Sequence, residues 1–472
     1  MNTKPLLAFA FAGLFAVTAS AALTGVTING EPLNDAAGSS GAGWAYTPPT
    51  LTLSGAGPFM ISGTNTAGEV CVIVQTGVTC DVTLSNLTLA ATGNQQCPFA
   101  LESGANVTLF LAGNNSLRSG DRRAGIEVAT GRTLSITNAP GDDAAFLSVR
   151  GAYLGAGIGS GGSGNGGTIT ISGGTVEATG GSWSAGIGGG GYGGGGTVTI
   201  NGGTVTATGG NSGAGIGGGS SSQGGTVNIS GGAVTAQGGT YAAGIGGAYG
   251  GAGGHVAISG GRVTATGGTS GAGIGGGAYG GAGGTVMISG GTVAATGSNG
   301  ARDIGPGQSG TVSGANTFTG GSIGLGATSA FHVPSNATEQ VFCASLAGFA
   351  PGGAVAISGL AGYGVNDLFA DGDGCIHLWL PNGTHNFTAN GNPRTVTIQN
   401  GVAPTGVTVN GQEIAFPAAP PAGWSYDAAN RTLSLTGAGP FTLSGVNGVG
   451  GVRVVVRSEE HTSELQSPRC SS

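Results

Sequence analysis

The residues of this chain whose types suit chemistry are a few acidic groups set among glycine. Asp142 and Asp143 follow Pro140, in a neighbourhood that also holds Asp121, Arg122, Arg123, Glu127 and Arg150. Asp142, Asp143 and Arg150 are the candidate members of a cation or acidic-sugar site, and a solvated loop explains the same residues. Asp371 and Asp373, in the run DGDG, are a second candidate, for calcium held through oxygen ligands. The spacing D-x-D-G falls short of an EF-hand loop, and a hairpin turn accounts for it as well. GAGIGGG, residues 213–219, satisfies the G-x-G-x-x-G pattern of phosphate-cradling loops, which carries that meaning only between a strand and a helix. Here more glycine and another strand-like run follow, so no nucleotide is expected.

The elements that position these residues are written in the composition. Of 472 residues 107 are glycine and only 7% are charged, far below the ordinary share of about 25%. The net charge is -7 and the only lysine is Lys4, which removes the basic patch that nucleic-acid binding needs. An Ala-Gly-Ile-Gly tetrad recurs with its isoleucine at 158, 187, 216, 245 and 274, a constant spacing of 29. A period in that range means stacked units. Each unit carries two β-branched runs with period-two alternation and glycine pairs between them, as in GGTVTINGGTVTATGG (195–210), and no helical stripe. Three columns run through the units: Ile171, Ile200, Ile229, Ile258 and Ile288; Val176, Val205, Val234, Val263 and Val293; Ala178, Ala207, Ala236, Ala265 and Ala295. The pattern predicts an all-β fold, a single-stranded right-handed parallel β-helix of about ten coils over 81–326.

A β-helix of the pectin-lyase-like kind would do enzyme chemistry with clustered acids. Between Gly151 and Gly326 the charged residues are Glu177, Arg262, Arg302 and Asp303, with His255 beside them, and no paired carboxylates stand on one face. No catalytic residue is expected. The glycine corners resemble the calcium-binding nonapeptide G-G-x-G-x-D but lack its aspartate, so calcium is not expected there, and no other cofactor is implied. What the loops do carry is aromatic. Trp183 and Tyr241 precede their tetrad isoleucines by four residues, and Tyr192, Tyr249 and Tyr279 follow theirs by four or five. Equal register predicts two interrupted aromatic lines flanking one corner, suited to stacking on sugar rings or to covering the glycine loops. Outward threonines on the second strand (Thr175, Thr204, Thr206, Thr264 and others) resemble the ladders of ice-binding β-helices, with Glu177, Gln237 and Arg262 interrupting them.

The ends of the chain add modules. Residues 1–21 read as an export signal: one lysine, a short apolar run, then Ala19-Ser20-Ala21. A secreted or cell-surface protein is therefore expected, with no transmembrane helix in its mature part. A β module over 22–80 leads into the solenoid. Residues 327–401 break the repeat and read as a small antiparallel β-sandwich, and DGDGCIHLWLPNGTHNF within it is similar to transthyretin-like or collagen-adhesin B-type modules. Residues 402–456 restart the N-terminal module: ALTGVTINGEPL (22–33) recurs as APTGVTVNGQEI (403–414). RSEEHTSELQS, at 457–467, resembles a translated sequencing adapter, and 457–472 is set apart from the functional reading. In an exported chain Cys343 and Cys375 are the first disulfide to try, with Cys71, Cys80 and Cys97 left without an assignment.

With its GAGIGGG and GGTVTISGG-type repeats, the region from about 80 to 325 resembles bacterial secreted or cell-surface carbohydrate-binding β-helical proteins. The resemblance implies a non-catalytic binding or adhesion protein with a polysaccharide as partner. The alternatives are a polysaccharide lyase or glycoside hydrolase, and a structural stalk or ice-binding surface.

Overall fold

A computed structural model describes residues 23–34, 38–311, 316–325, 341–360, 368–372, 374–381 and 383–398, together with short strands between 407 and 466. The described part is all β. Its centre is a parallel solenoid of about nine turns with a repeat of about 29 residues. One coil runs from a two-residue strand, Ile216–Gly217, through a glycine loop to Thr226–Ile229, then around a tight corner to Ala233–Gln237. Each of these strands pairs in parallel with its equivalents in the neighbouring coils, without a register shift.

That register places like residues on like. Ile200 stands between Ile171 and Ile229, Val205 between Val176 and Val234, and Ala207 between Ala178 and Ala236. All are buried, while the residues between them along each strand reach outward. Burying each valine or isoleucine contributes roughly 1.5–3 kcal/mol, and no single coil can bury both of its own faces. Stacking supplies the missing face, so the period-two pattern and the 29-residue period are two parts of one requirement.

Both ends of the stack are covered by antiparallel elements, which hide strand edges that would otherwise recruit other chains. At the N-terminal end Leu23–Ile28 pairs antiparallel with Glu31–Asn34 and with Phe59–Asn65, and the last of these already pairs in parallel with Thr79–Ala90. Trp44–Thr47 pairs antiparallel with Thr50–Leu53, which pairs in parallel with Cys71–Val74. Parallel stacking thus starts before residue 81, and the N-terminal module shares one apolar core with the solenoid. At the other end Ser322, in the strand Asn316–Leu325, pairs with Leu378 of the strand Ile376–Pro381. The Trp379 indole donates to the Ile323 carbonyl at 3.1 Å and lies 6.3 Å from the Phe318 ring. Small antiparallel sheets built from Val341–Leu346, Ala354–Val355, Ile357–Ser358, Gly383–Ala389 and Asn392–Ile398 surround a second apolar cluster. Trp379→Ala is expected to lower the unfolding free energy by about 3–5 kcal/mol, measured by denaturant titration, because it removes a buried ring and the cap's hydrogen bond together.

The sandwich register corrects one expectation. Cys343 stands opposite Trp379, and Cys375 lies four residues further along that partner segment. Four residues of strand span about 13 Å, beyond the Cα separation of about 7 Å that a disulfide tolerates. The pairing of Cys343 with Cys375 therefore does not fit the backbone, and the side chain of Cys343 is outside the described residues. Beyond residue 401 the restarted module reproduces the first copy's pairings. Val407 faces Gly445 as Val26 faces Gly63, and Trp424 faces Leu435 as Trp44 faces Leu53.

Candidate functional site

The glycine loops that follow and precede the two-residue strands bring aromatic rings together on one corner. Trp183 packs edge-on against Tyr192, with ring centroids 5.2 Å apart, and against Tyr153 at 6.2 Å. Further along the axis Tyr241, Tyr249 and Tyr279 form a second group with centroids 5.3–5.8 Å apart. The two expected lines are therefore two compact clusters. Loops before and after the same short strand fold toward each other, so the residue four before the isoleucine meets the one four or five after it. Tyr153, Tyr192, Tyr249 and Tyr279 are exposed, whereas Trp183 and Tyr241 are half-buried at the base of their clusters.

Between the clusters lies the coil of Ile216, which carries Asn211, Ser212, Ser220 and Ser221 at the positions the rings occupy elsewhere. Backbone hydrogen bonds hold the alignment: Tyr241 donates to Asn211, Ser220 to Trp183 and Ser221 to Tyr249. Trp183 and Tyr241 are two coils apart, about 10 Å along the axis. Tyr153 escaped the sequence reading because it sits five residues before Ile158, with Leu154 at the fourth position in a left-handed conformation. Its signal was an aromatic one place out of column.

An uncharged groove of about 660 Å³ adjoins the same corner. Thr130, Asn165, Ser221, Ser222 and Gln223 line it with a row of glycines, from successive coils, so it runs along the axis. Ser222 links groove to rings by donating to the Tyr192 carbonyl at 2.7 Å. Such a lining offers hydroxyl and amide partners without a fixed charge.

The acidic candidates are committed to structure. The Asp142 carboxylate accepts from the Gly113 amide at 2.7 Å, which fixes its loop, and Asp143 is exposed beside it. Arg150 stands at the far end of the strand Phe146–Arg150, whose first residue faces Asn114 next to Gly113. That strand separates it from the aspartates by about 13 Å, so the three do not form one site. Asp371 accepts from the Cys375 amide at 2.8 Å and contacts the His377 ring at 3.1 Å, which is the work of a turn; Asp373 lies outside the described residues. Among the described residues no three His, Cys, Asp or Glu side chains form a group that could hold a metal ion. Glu127 is buried and forms ion pairs with Arg123 at 2.9 Å and Arg132 at 3.6 Å, a brace within one coil of the charged neighbourhood. In GAGIGGG the amides of Gly213, Ala214, Gly215, Ile216, Gly218 and Gly219 all donate to backbone carbonyls, leaving none of these donors to a phosphate.

The three N-terminal cysteines are buried thiols. The Cys97 thiol lies within hydrogen-bond reach of the carbonyls of Phe99 and Ala124, its single S–H shared between them, and burial pushes its titration up, as it does for Cys71. Burial, assisted by Asp81, moves Cys80 from 9.0 up to about 11. A thiol raised on folding stabilises the fold while protonated in both states and loses that contribution as pH rises through the folded value. The Cys80 contribution to the unfolding free energy is therefore expected to fall between about pH 9 and pH 11 by at most about 3 kcal/mol, and Cys80→Ala is expected to remove that part of the decline in denaturation at stepped pH, Cys71 and Cys97 supplying the rest.

Stacked coils and buried ladders define the class: this is a parallel β-helix protein. Five segments, 169–192, 198–220, 227–253, 256–278 and 286–311, match the family model described as a beta helix repeat, and they fall on five successive coils. No curated protein and no solved structure matches the chain. No helix among the described residues is long and apolar enough to cross a membrane.

Proposed function

We propose that the protein is a non-catalytic, secreted or cell-surface binding or adhesion protein whose ligand is a polysaccharide lying along the solenoid axis. The observation that carries this reading is the pair of exposed aromatic clusters, two coils apart on one corner, with a polar coil between them and an uncharged groove beside them. Flat rings at repeating intervals stack on successive sugars, while Asn, Ser and Gln meet hydroxyls. An isolated enzyme site would not need that repetition. The strand face supports neither rival strongly. Glu177 and Arg262 are three coils apart in different columns, and every outward threonine column is interrupted.

A glycan array probed with the full chain, with each retained glycan afterwards sized for shortening, tests the proposal. Retention of linear polysaccharides without cleavage is expected. Cleavage of any of them overturns the non-catalytic reading.

A further inference from the structure

We infer that a recess next to the first aromatic cluster is a subsite for a tetrahedral oxyanion, a sulfate or phosphate ester carried by the bound glycan. The inference rests on reading the aromatic corner as a glycan platform. Arg118 and Arg150 face each other in parallel register on neighbouring coils, both exposed. Together with Tyr153, Ser182 and Asn211 they line a recess of about 310 Å³. Their column continues to Ala90 on one side and Thr179 on the other, so two cations stand on adjacent rungs with no acid between or beyond them. Glu177, the acid of the adjoining strand Thr175–Thr179, belongs to the next column and pairs in register with Ser148. Arg123 and Arg132, by contrast, both aim at Glu127.

Like charges in register on neighbouring strands, about 4.8 Å apart, repel each other until an anion bridges them. A guanidinium presents a planar fork of donors that engages two oxygens at once. One carboxylate fills one fork. Two forks on adjacent rungs call for more acceptors than two, which a sulfate or phosphate ester supplies with three terminal oxygens. Tyr153 lies both in the recess and against Trp183, so a sugar stacked on Trp183 carries its substituent toward the arginine pair. The chain's net charge of -7 opposes general attraction of polyanions, so a preference for them must come from a local site.

Affinity electrophoresis through hydroxyethyl cellulose, carboxymethyl cellulose, cellulose sulfate and cellulose phosphate of matched length, at fixed salt, tests this. The wild-type chain is expected to be retarded at least about tenfold more strongly by the sulfate or the phosphate than by the neutral polymer, with the carboxymethyl polymer in between. The two ester gels show which ester the site prefers. Arg118→Gln with Arg150→Gln is expected to erase that excess while leaving neutral retardation unchanged and the thermal midpoint equal or raised, because the repulsion between the two guanidiniums is removed. An ester preference that survives the double substitution overturns the inference, as does carboxymethyl retardation equal to that of both esters. Ester retardation that survives Trp183→Ala with Tyr241→Ala but falls in the arginine variant upholds the subsite and overturns the platform reading. No retardation in any of the four overturns both.

Discussion

Gly217→Ala is expected to lower the unfolding free energy by at least about 3 kcal/mol. Gly217 closes the tetrad with φ at +138°, a conformation that side chains rarely adopt, and a Cβ there would collide with the carbonyl oxygen of Gly246 in the next coil. Gly188 and Gly246 meet the following coil in the same way. Gly250→Ala separates the two causes. Its φ is +68° and nothing lies within 4 Å of the added carbon, so it is expected to cost only about 1–2 kcal/mol. Denaturant titration of both variants makes the comparison, and an equal small loss for the two would show that the stack does not depend on that close approach.

The second large effect is on binding. Trp183→Ala with Tyr241→Ala is expected to weaken retention of a neutral polysaccharide about 100-fold, from about tenfold for each ring. The two side chains share no partner and sit in different clusters, so their losses are expected to add. Each is the ring its neighbours lean on, so its removal disorders Tyr153 and Tyr192, or Tyr249 and Tyr279, as well. Phenylalanine at both positions is expected to restore most of the affinity. Binding unchanged by the alanine pair would leave the rings only as covers for their glycine loops.

Much of the fold could be read from the chain because a solenoid writes its contacts as repetition. Ile171, Ile200 and Ile229 recur at one interval because each rests on the next, so sequence register and spatial register coincide. The same logic located Trp183 and Tyr241, whose loops keep constant length. It failed where loops vary. The extra displacement of Tyr153 hid it, and the folding of paired loops toward each other turned two lines into two clusters. Position along a strand misled the reading of Asp142 with Arg150, because eight residues of sequence there are spent on a loop and an extended strand rather than on closure. Cys343 and Cys375 failed for a related reason: antiparallel register, which composition does not reveal, sets them four residues out of line. The arginine pair was legible only after stacking, since Arg118 and Arg150 are 32 positions apart and fall outside the 29-residue period.

One extended glycan is proposed to span both aromatic clusters along the solenoid axis. Calorimetric titration of the full chain with a length series of an oligosaccharide retained on the array tests it most directly. Affinity is expected to rise steeply once the oligosaccharide is long enough to cover the two coils, about 10 Å, between Trp183 and Tyr241, and Tyr241→Ala is expected to flatten that rise without altering binding of the shortest members. Affinity that is already complete with a single sugar, or a rise with length that Tyr241→Ala leaves intact, would contradict it.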